Sequence, residues 1–335
     1  MKFRDLLAAV ALSALFASSV LFASAAQAKA SWTMIPLYTD PATGDPDVPV
    51  AINDAGWMTG NIFYDADGDA DGFLRSPQGV YSSFTVGVDT EPRGIGPNNR
   101  VVGASYVGPG YDFDEFSRDA DGTVTWLRNP GTGLLLDGFA QGQDSNGDIV
   151  GDYLTGPDGM SGPVHGYILN GSSFTDLSFP GSTETKARGI NDNGVVVGYE
   201  ESGGAASGLI DNHGTMITYD HPGADGGTFF EGVNDQGLIV GQWDHFAPDG
   251  PHIHLFLYDL ASGSTREVIT PDHAEITQAF GVNNSGQMVV ISDNVWLFNA
   301  NAVPEPGAWA MMLIGLGAVG AVMRRRTSRP LTAGA

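Results

Sequence analysis

The sequence predicts an all-β domain, a six-bladed β-propeller, on three observations. One motif recurs six times at nearly even spacing. Each interval has room for four short strands separated by turn residues. The domain also opens on a strand with no partner in its own interval and ends on an interval one strand short.

The motif reads AINDAGWMTG from residue 51, GIGPNNRVVG from 94, GQDSNGDIVG from 142, GINDNGVVVG from 189, GVNDQGLIVG from 232 and GVNNSGQMVV from 281. Successive starts lie 43, 48, 47, 43 and 49 residues apart. In the fourth unit a strand ending Lys186-Ala-Arg-Gly-Ile190 runs into Asn191-Asp-Asn-Gly194, and Val195-Val-Val-Gly-Tyr199 returns. Asn and Asp side chains hydrogen-bond to the backbone just ahead of them, and a left-handed residue closes the tight turn, so the motif predicts a β-hairpin. The left-handed position falls on Gly56, Asn99, Gly147, Gly194, Gly237 and Gly286. Asparagine, at 99, is the non-glycine residue that tolerates that conformation best.

A third strand follows at His165–Leu169 and His254–Tyr258, and a fourth at Ser173–Phe179 and Thr215–Tyr219. A Pro/Gly-rich connector such as His221–Gly227 then leads to the next unit. Four antiparallel strands in about 45 residues is the length of a propeller blade. The last interval offers only Phe280–Val282, Met288–Ile291 and Val295–Phe298. Trp32–Leu37, ahead of the first hairpin, supplies the fourth, and pairing it there closes the ring and covers an exposed edge. An open superhelix of stacked sheets, or a ring of five or seven blades, fits the same repeat length.

The unit resembles the HAF repeat of exported bacterial proteins, whose core is G-[IV]-N-[DN]-x-G-x-[IV]-V-G followed by H-x-F-L. The likeness runs over nearly all of residues 50–300 and is tightest at Gly189–Gly198. It is looser at Gly94–Gly103 and Gly142–Gly151, and the histidine stands only at His165 and His254. This resemblance implies an architecture and no particular reaction.

Residues 1–28 read as a secretory signal. Lys2 and Arg4 precede an apolar stretch from Leu6 to Ala23, and Ala26-Gln27-Ala28 is a small-residue site for cleavage after Ala28. An uncleaved anchor is the alternative. The domain, 29–302, has no cysteine and therefore relies on burial and backbone pairing. It holds nine Lys and Arg against 37 Asp and Glu, in a chain of formal charge −24. Such a surface repels phosphate backbones and anionic lipid, which argues against nucleic acid as a partner and suits divalent cations.

After the motif Pro304-Glu305-Pro306 within 303–306, Gly307–Met323 runs 17 residues without a charge. As a transmembrane helix it would reach about 26 Å, just enough for a bilayer. Arg324, Arg325 and Arg326 open a basic tail, 324–335, that would stay in the cytoplasm and leave the domain outside. The order Pro-Glu-Pro, apolar helix, arginine cluster resembles the PEP-CTERM sorting signal of Gram-negative bacteria. That resemblance implies export across the inner membrane and recognition by a membrane exosortase, which removes the helix. The product then resides at the cell surface or is secreted, in hosts that make exopolysaccharide and biofilm matrix.

Asp65-Ala-Asp67-Gly-Asp69-Ala-Asp71-Gly72 has the D-x-D-x-D-G spacing with which oxygen ligands wrap calcium, making Asp67, Asp69 and Asp71 candidate ligands. Gln78 stands where an EF-hand has its bidentate glutamate, and a solvated acidic loop is the competing reading. No other cofactor is implied. His245, His252 and His254 form the densest histidine group, without a third ligand fixed beside the pair on one strand. Arg75, Arg93, Arg100, Arg118, Arg128, Arg188 and Arg266 look scattered over different strand classes, so no cluster for a substrate carboxylate is expected. The sequence has no nucleophile elbow, phosphate loop or zinc motif. The expectation is an exported, non-enzymatic propeller that binds polysaccharide or another matrix component through loops on one face. Its rival is a propeller hydrolase or lyase with carboxylates in the central channel, since propellers host both.

Overall fold

The computed structural model describes residues 30–35, 48–63, 70–106, 113–159, 161–273, 276 and 278–300. The signal stretch, Asp67, Asp69, Pro304–Pro306, the apolar run 307–323 and the arginine tail lie outside them. The chain divides into two units, Met1–Ser31 with Ala300–Ala335, and Trp32–Asn299; the second carries the sheets. Apart from one 3-10 turn at Pro97–Asn99, the described residues build only strands.

After β1 (Ser31–Met34), strands come in fours, each four an antiparallel meander. The first is β2 (Val48–Ile52), β3 (Met58–Phe63), β4 (Ala70–Arg75) and β5 (Tyr81–Phe84). The second is β6 (Asp89–Ile95), β7 (Val101–Tyr106), β8 (Phe113–Arg118) and β9 (Val124–Trp126). The third is β10 (Gly138–Gln143), β11 (Ile149–Leu154), β12 (Val164–Asn170) and β13 (Ser173–Leu177). The fourth is β14 (Glu184–Ile190), β15 (Val195–Ser202), β16 (Ala205–Asn212) and β17 (Thr215–Tyr219). The fifth is β18 (Gly227–Val233), β19 (Leu238–Ala247), β20 (Gly250–Asp259) and β21 (Ser264–Val268). The third, fourth and fifth touch through single parallel bridges, Val164 with Glu184 and Ala206 with Gly227. The last group has only β22 (Gln278–Phe280), β23 (Gln287–Ile291) and β24 (Val295–Asn299), and β1 lies beyond β24 in the same sheet.

Burial explains the composition of these strands. The second strand of the fourth group packs on both faces, so it opens on an unbroken apolar run: Val195, Val196 and Val197 are all buried. The fourth strands β13, β17 and β21 are largely exposed and carry alternating polar residues. Apolar clusters fill the spaces between neighbouring sheets. Val102, Leu136 and Tyr167 join the second group to the third, and Val197, Phe230 and Phe256 join the fourth to the fifth. Ile52 and Met58 of the first group pack with Val289 and Val295 of the last, and Ile35 joins them. Beside them, Trp32 packs on Phe298 at 4.6 Å and edge-on to Trp296 at 6.1 Å.

Among the described residues one acid is fully buried. Glu115 on β8 accepts a hydrogen bond from the Tyr167 hydroxyl on β12. Burial pushes its carboxyl well above the usual range, more than the Tyr167 bond pulls it down, and Asp152, Asp137 and Asp114 add to the rise. A carboxyl held protonated in the fold contributes stability below its unfolded pKa and loses it as pH rises toward the folded value. Glu115→Gln, which retains an oxygen for Tyr167, should therefore leave the melting temperature unchanged near about pH 4 and raise it near about pH 8. Thermal scans at the two pH values check this; an equal effect at both would show that the fold does not raise the Glu115 pKa.

Candidate functional site

Each motif turn is built as its residues require. Asn191 Oδ1 accepts from the N–H groups of Asn193 (3.1 Å) and Val195 (3.0 Å), and Gly194 closes the turn at φ 74°. The other turns place Gly56, Asn99, Gly147, Gly237 and Gly286 at φ 78°, 59°, 90°, 78° and 73°. The same asparagines also reach sideways. Asn191 Nδ2 donates to Asn234 O (2.9 Å), Asn234 Nδ2 to Asn283 O (3.1 Å), Asn283 Nδ2 to Asn53 O (2.9 Å) and Asn53 Nδ2 to Gly96 O (3.0 Å). One residue further on, a second ladder runs from the Ser145 N–H to Asp192, Asp192 to Asp235, Asp235 to Asn284 and Asn284 to Asp54, with N···O distances of 2.7 to 2.8 Å. Two units depart from the pattern. Gly96 lacks a side chain, and Gln143 fills the space and donates to Arg100 O at 2.8 Å; Asp144 only accepts, from Asn146 and Asp148.

The glycines of the motif have two separate jobs. Those at its start meet one another: a Cβ on Gly189 would lie 2.9 Å from Gly232 Cα, and one on Gly232 only 2.5 Å from Gly281 Cα. Those at its end make room for a bulge. The register of β14 on β15 skips Arg188, since Ala187 pairs with Gly198 and Gly189 with Val197, and a Cβ on Gly198 would lie 1.9 Å from Lys186 O. The same skip occurs at Val50, Arg93, Gln141 and Glu231, opposite Gly60, Gly103, Gly151 and Gly241. In the last group Val290 replaces that glycine, and β22 pairs with β23 in unbroken register. A bulge re-aims its extra side chain. Here the re-aimed residues all line the same central space.

That space is a series of three cavities strung along the inner strands. At the turns, about 300 Å³ is lined by all six units, including Asp54, Asp144, Asp192 and Asp235. A neck of about 100 Å³ follows at the starting glycines. Beyond it lies a cavity of about 400 Å³ lined by Arg93, Lys186, Arg188, Asp152, Glu231 and Asp244, with Gln141, Gln242 and Tyr199 among them and Phe139, Phe229 and Phe280 as apolar walls.

The third cavity is electrically crowded. Arg93 pairs with Glu91, and Lys186 Nζ lies 3.1 Å from Glu184. Arg93 stacks on Phe139 (4.8 Å) and Arg188 on Tyr199 (5.3 Å). Burial works against the Arg188 charge, but Glu231, Asp152 and Tyr199 hold its pKa above the ordinary value. Burial pushes the Asp152 carboxyl up despite Arg188 and Lys186, and pushes Asp244 up as well. Gln242 Nε2 donates to Glu231 at 2.9 Å and Gln141 Nε2 to Asp152 at 3.2 Å.

Two of the seven arginines thus come together, against the scatter the sequence suggested. Arg93 and Arg188 occupy the same bulge position of two inner strands and face one cavity. The signal was present: aligned on the motif, the residue before its first position is Val50, Arg93, Gln141, Arg188, Glu231 or Phe280. Of the candidate calcium ligands only Asp71 is among the described residues; it sits in β4 and accepts from Thr85 Oγ1 at 2.5 Å. The histidines each have a separate neighbour: His245 lies 3.0 Å from Asp225, His252 3.0 Å from Asp249, and His254 stacks on Trp243 at 4.0 Å. Among the described residues no group of His, Cys, Asp and Glu gathers as a metal site, and no helix is long and apolar enough to cross a membrane.

Residues 302–326 match the PEP-CTERM protein-sorting motif. That motif implies export, processing by an exosortase and a destination at the cell surface or outside the cell. No curated protein sequence matches the chain. Among solved structures, a catalytically inactive virginiamycin B lyase from Staphylococcus aureus is similar at 11% identity and a TM-score of 0.45, covering 81% of this chain and 99% of its own. The β-propeller domain of the Trilobed protease from Pyrococcus furiosus is similar at 11% identity and 0.43, over 73% and 77%. A polysaccharide lyase, an ulvan lyase of family PL25, is similar at 12% and 0.41, over 76% and 79%. At such identities no activity passes from these proteins to this chain.

Proposed function

We propose that this chain is an exported, six-bladed β-propeller of HAF-type repeats, closed by β1, which an exosortase delivers through its PEP-CTERM tail to the surface or surroundings of a Gram-negative cell. There it binds a polysaccharide or another matrix component without transforming it. Six groups of strands and two hydrogen-bond ladders that pass from Asn283 and Asn284 back to Asn53 and Asp54 support the closed ring. Before processing, Gly307–Met323 holds the chain in the inner membrane as its single span.

The observation that carries the binding reading is the cavity of about 400 Å³ at the centre of the sheets. It falls within the range of about 300 to 1,000 Å³ typical of small-ligand sites. Its polar groups converge from five different units, and aromatic walls separate them. Calcium at Asp67, Asp69 and Asp71 remains an accessory proposal for the loop between β3 and β4. One observation favours the rival hydrolase or lyase: Asp152 and Asp244, both with carboxyls raised by burial, share the cavity with Tyr199 and Arg188, a set that could exchange protons with a substrate. A glycan array run beside a turnover screen on the host's own polysaccharide separates the two. Retention of specific glycans with no shortened or unsaturated product is the expected result; product release would establish the rival.

A further inference from the structure

The surface of this protein is acidic, yet three of the eight Lys and Arg among its described residues, Arg93, Lys186 and Arg188, line one cavity. Their hydrogen bonds are incomplete there. The Nε atoms of Arg93 and Arg188 are buried without a partner, and the one hydrogen bond of Arg188 is a long 3.4 Å contact from Nη2 to the Tyr199 hydroxyl. The Nε and Nη groups of a guanidinium form the edge that grips a carboxylate through two parallel hydrogen bonds. Stacking on Phe139 and Tyr199 fixes the planes of the two guanidinium groups.

A third incomplete group calls for the opposite chemistry. Gln242 gives its Nε2 to Glu231, which fixes the amide, and its Oε1 is buried without a donor. An acceptor in that position calls for a hydroxyl, which sulfate lacks. Phe139, Tyr199, Phe229 and Phe280 supply apolar faces for the C–H surface of a ring. Leaving such buried donors and an acceptor unpaired costs more than any one of them contributes when paired, so a ligand that satisfies all three is favoured over one that satisfies part of the set.

We propose that this cavity binds a hydroxylated carboxylate, the chemistry of a uronic acid unit, with Arg188 and Arg93 holding the carboxylate and Gln242 accepting from a ring hydroxyl. The proposal rests on the reading that the cavity is the binding surface. It makes Lys186 a secondary contact, because its ammonium is paired with Glu184 and lacks the planar edge of a guanidinium, whereas Arg93, paired with Glu91 through Nη2, keeps its Nε without a partner.

Titration calorimetry on the exported protein tests it, with an oligogalacturonate, a neutral gluco-oligosaccharide and sulfate as probes. Saturable heat is expected from the oligogalacturonate alone. Arg188→Ala should weaken that binding by about tenfold or more, and Arg188→Lys, which keeps charge but loses the paired edge, should restore only part of it. Arg93→Gln serves as a second variant should Arg188→Ala fold poorly, as judged by its melting curve. Arg100→Ala, whose side chain is engaged with Asp119 away from the cavity, should bind like the wild type. Equal binding of sulfate would overturn the hydroxyl half of the inference. Binding of the neutral oligosaccharide, undiminished in Arg188→Ala, would overturn the carboxylate and leave the cavity as a glycan site. No heat with any probe from a folded protein would overturn the inference alone, whereas glycan retention on an array that survives every cavity variant would remove the cavity as the binding surface.

Discussion

Gly198→Ala should destabilise the domain by about 3 kcal/mol or more, because the added methyl meets backbone rather than a side chain that can turn away. Its Cβ would lie 1.9 Å from Lys186 O and 2.9 Å from Lys186 C, inside the bulge that carries Arg188. Relief requires β14 to move off β15 or to give up the bulge, and a one-residue slip would turn Arg188 away from the cavity. The sixth unit has no bulge, with Val290 at the position and β22 in plain register, and it carries the apolar Phe280 where Arg188 stands in the fourth. On a domain of this size the melting temperature should fall by about 6 °C or more. Thermal unfolding followed by circular dichroism reads this directly. An unchanged melting point would mean that the glycine is not what admits the bulge.

The second large effect is expected at the seam between the first unit and the last. Asn283, itself buried, accepts from the N–H groups of Ser285 (3.1 Å) and Gln287 (2.9 Å) and donates to Asn53 O (2.9 Å) and Gln287 Oε1 (3.0 Å). Asn283→Ala leaves a buried carbonyl and two turn donors without this partner, at a cost of about 2 to 3 kcal/mol. Asn283→Asp keeps the turn and loses the two Nδ2 donations, across the seam to Asn53 O and within the turn to Gln287 Oε1, so it should cost less than alanine. The informative comparison is with Asn191→Ala, which removes the corresponding turn and cross-unit bonds between the fourth and fifth units, Asn283 having one further bond to the Gln287 side chain. In a closed ring the two alanine variants cost the same to within about 1 kcal/mol, because the seam is one junction among equals. In an open stack the seam variant would be nearly silent, and urea unfolding of the two would separate these cases.

Much of this was legible in the sequence because the motif is local chemistry. An Asn that bonds its own turn and a left-handed residue at the sixth position of the motif leave a signature that repeats, and all six turn residues have positive φ in the structure. Trp32 and Ile35 were readable as an orphan strand because their interval had no room for them, and β1 lies beside β24, where Ile35 N–H donates to Val295 O at 2.9 Å. What stayed hidden was the cavity. The residue it depends on varies from unit to unit, as Arg93, Arg188 and Glu231 do, so a search for a constant pattern passes over it. Its direction is set by a bulge whose cause, the glycine closing the motif, looks in sequence like one more turn residue. Arg93 and Arg188 therefore read as unrelated surface charges until the bulge brings them together. The buried Glu115 was hidden for a different reason: its Tyr167 partner belongs to the next group of strands, and nothing local marks either residue.

The proposed closed ring would be the frame on which the cavity and its bulge residues depend, and native-state hydrogen exchange tests it most directly. Two amides report on the seam: Ile35 N–H, bonded to Val295 O at 2.9 Å, and Asn284 N–H, bonded to Asp54 Oδ1 at 2.7 Å. In a closed ring Ile35 should exchange only through global opening, with the same protection as the amides of β15, and Asn284, whose bond is exposed, should still exchange more slowly than in an unfolded chain. Exchange of Ile35 and Asn284 at the rate of an unfolded chain, while β15 stays protected, would contradict it.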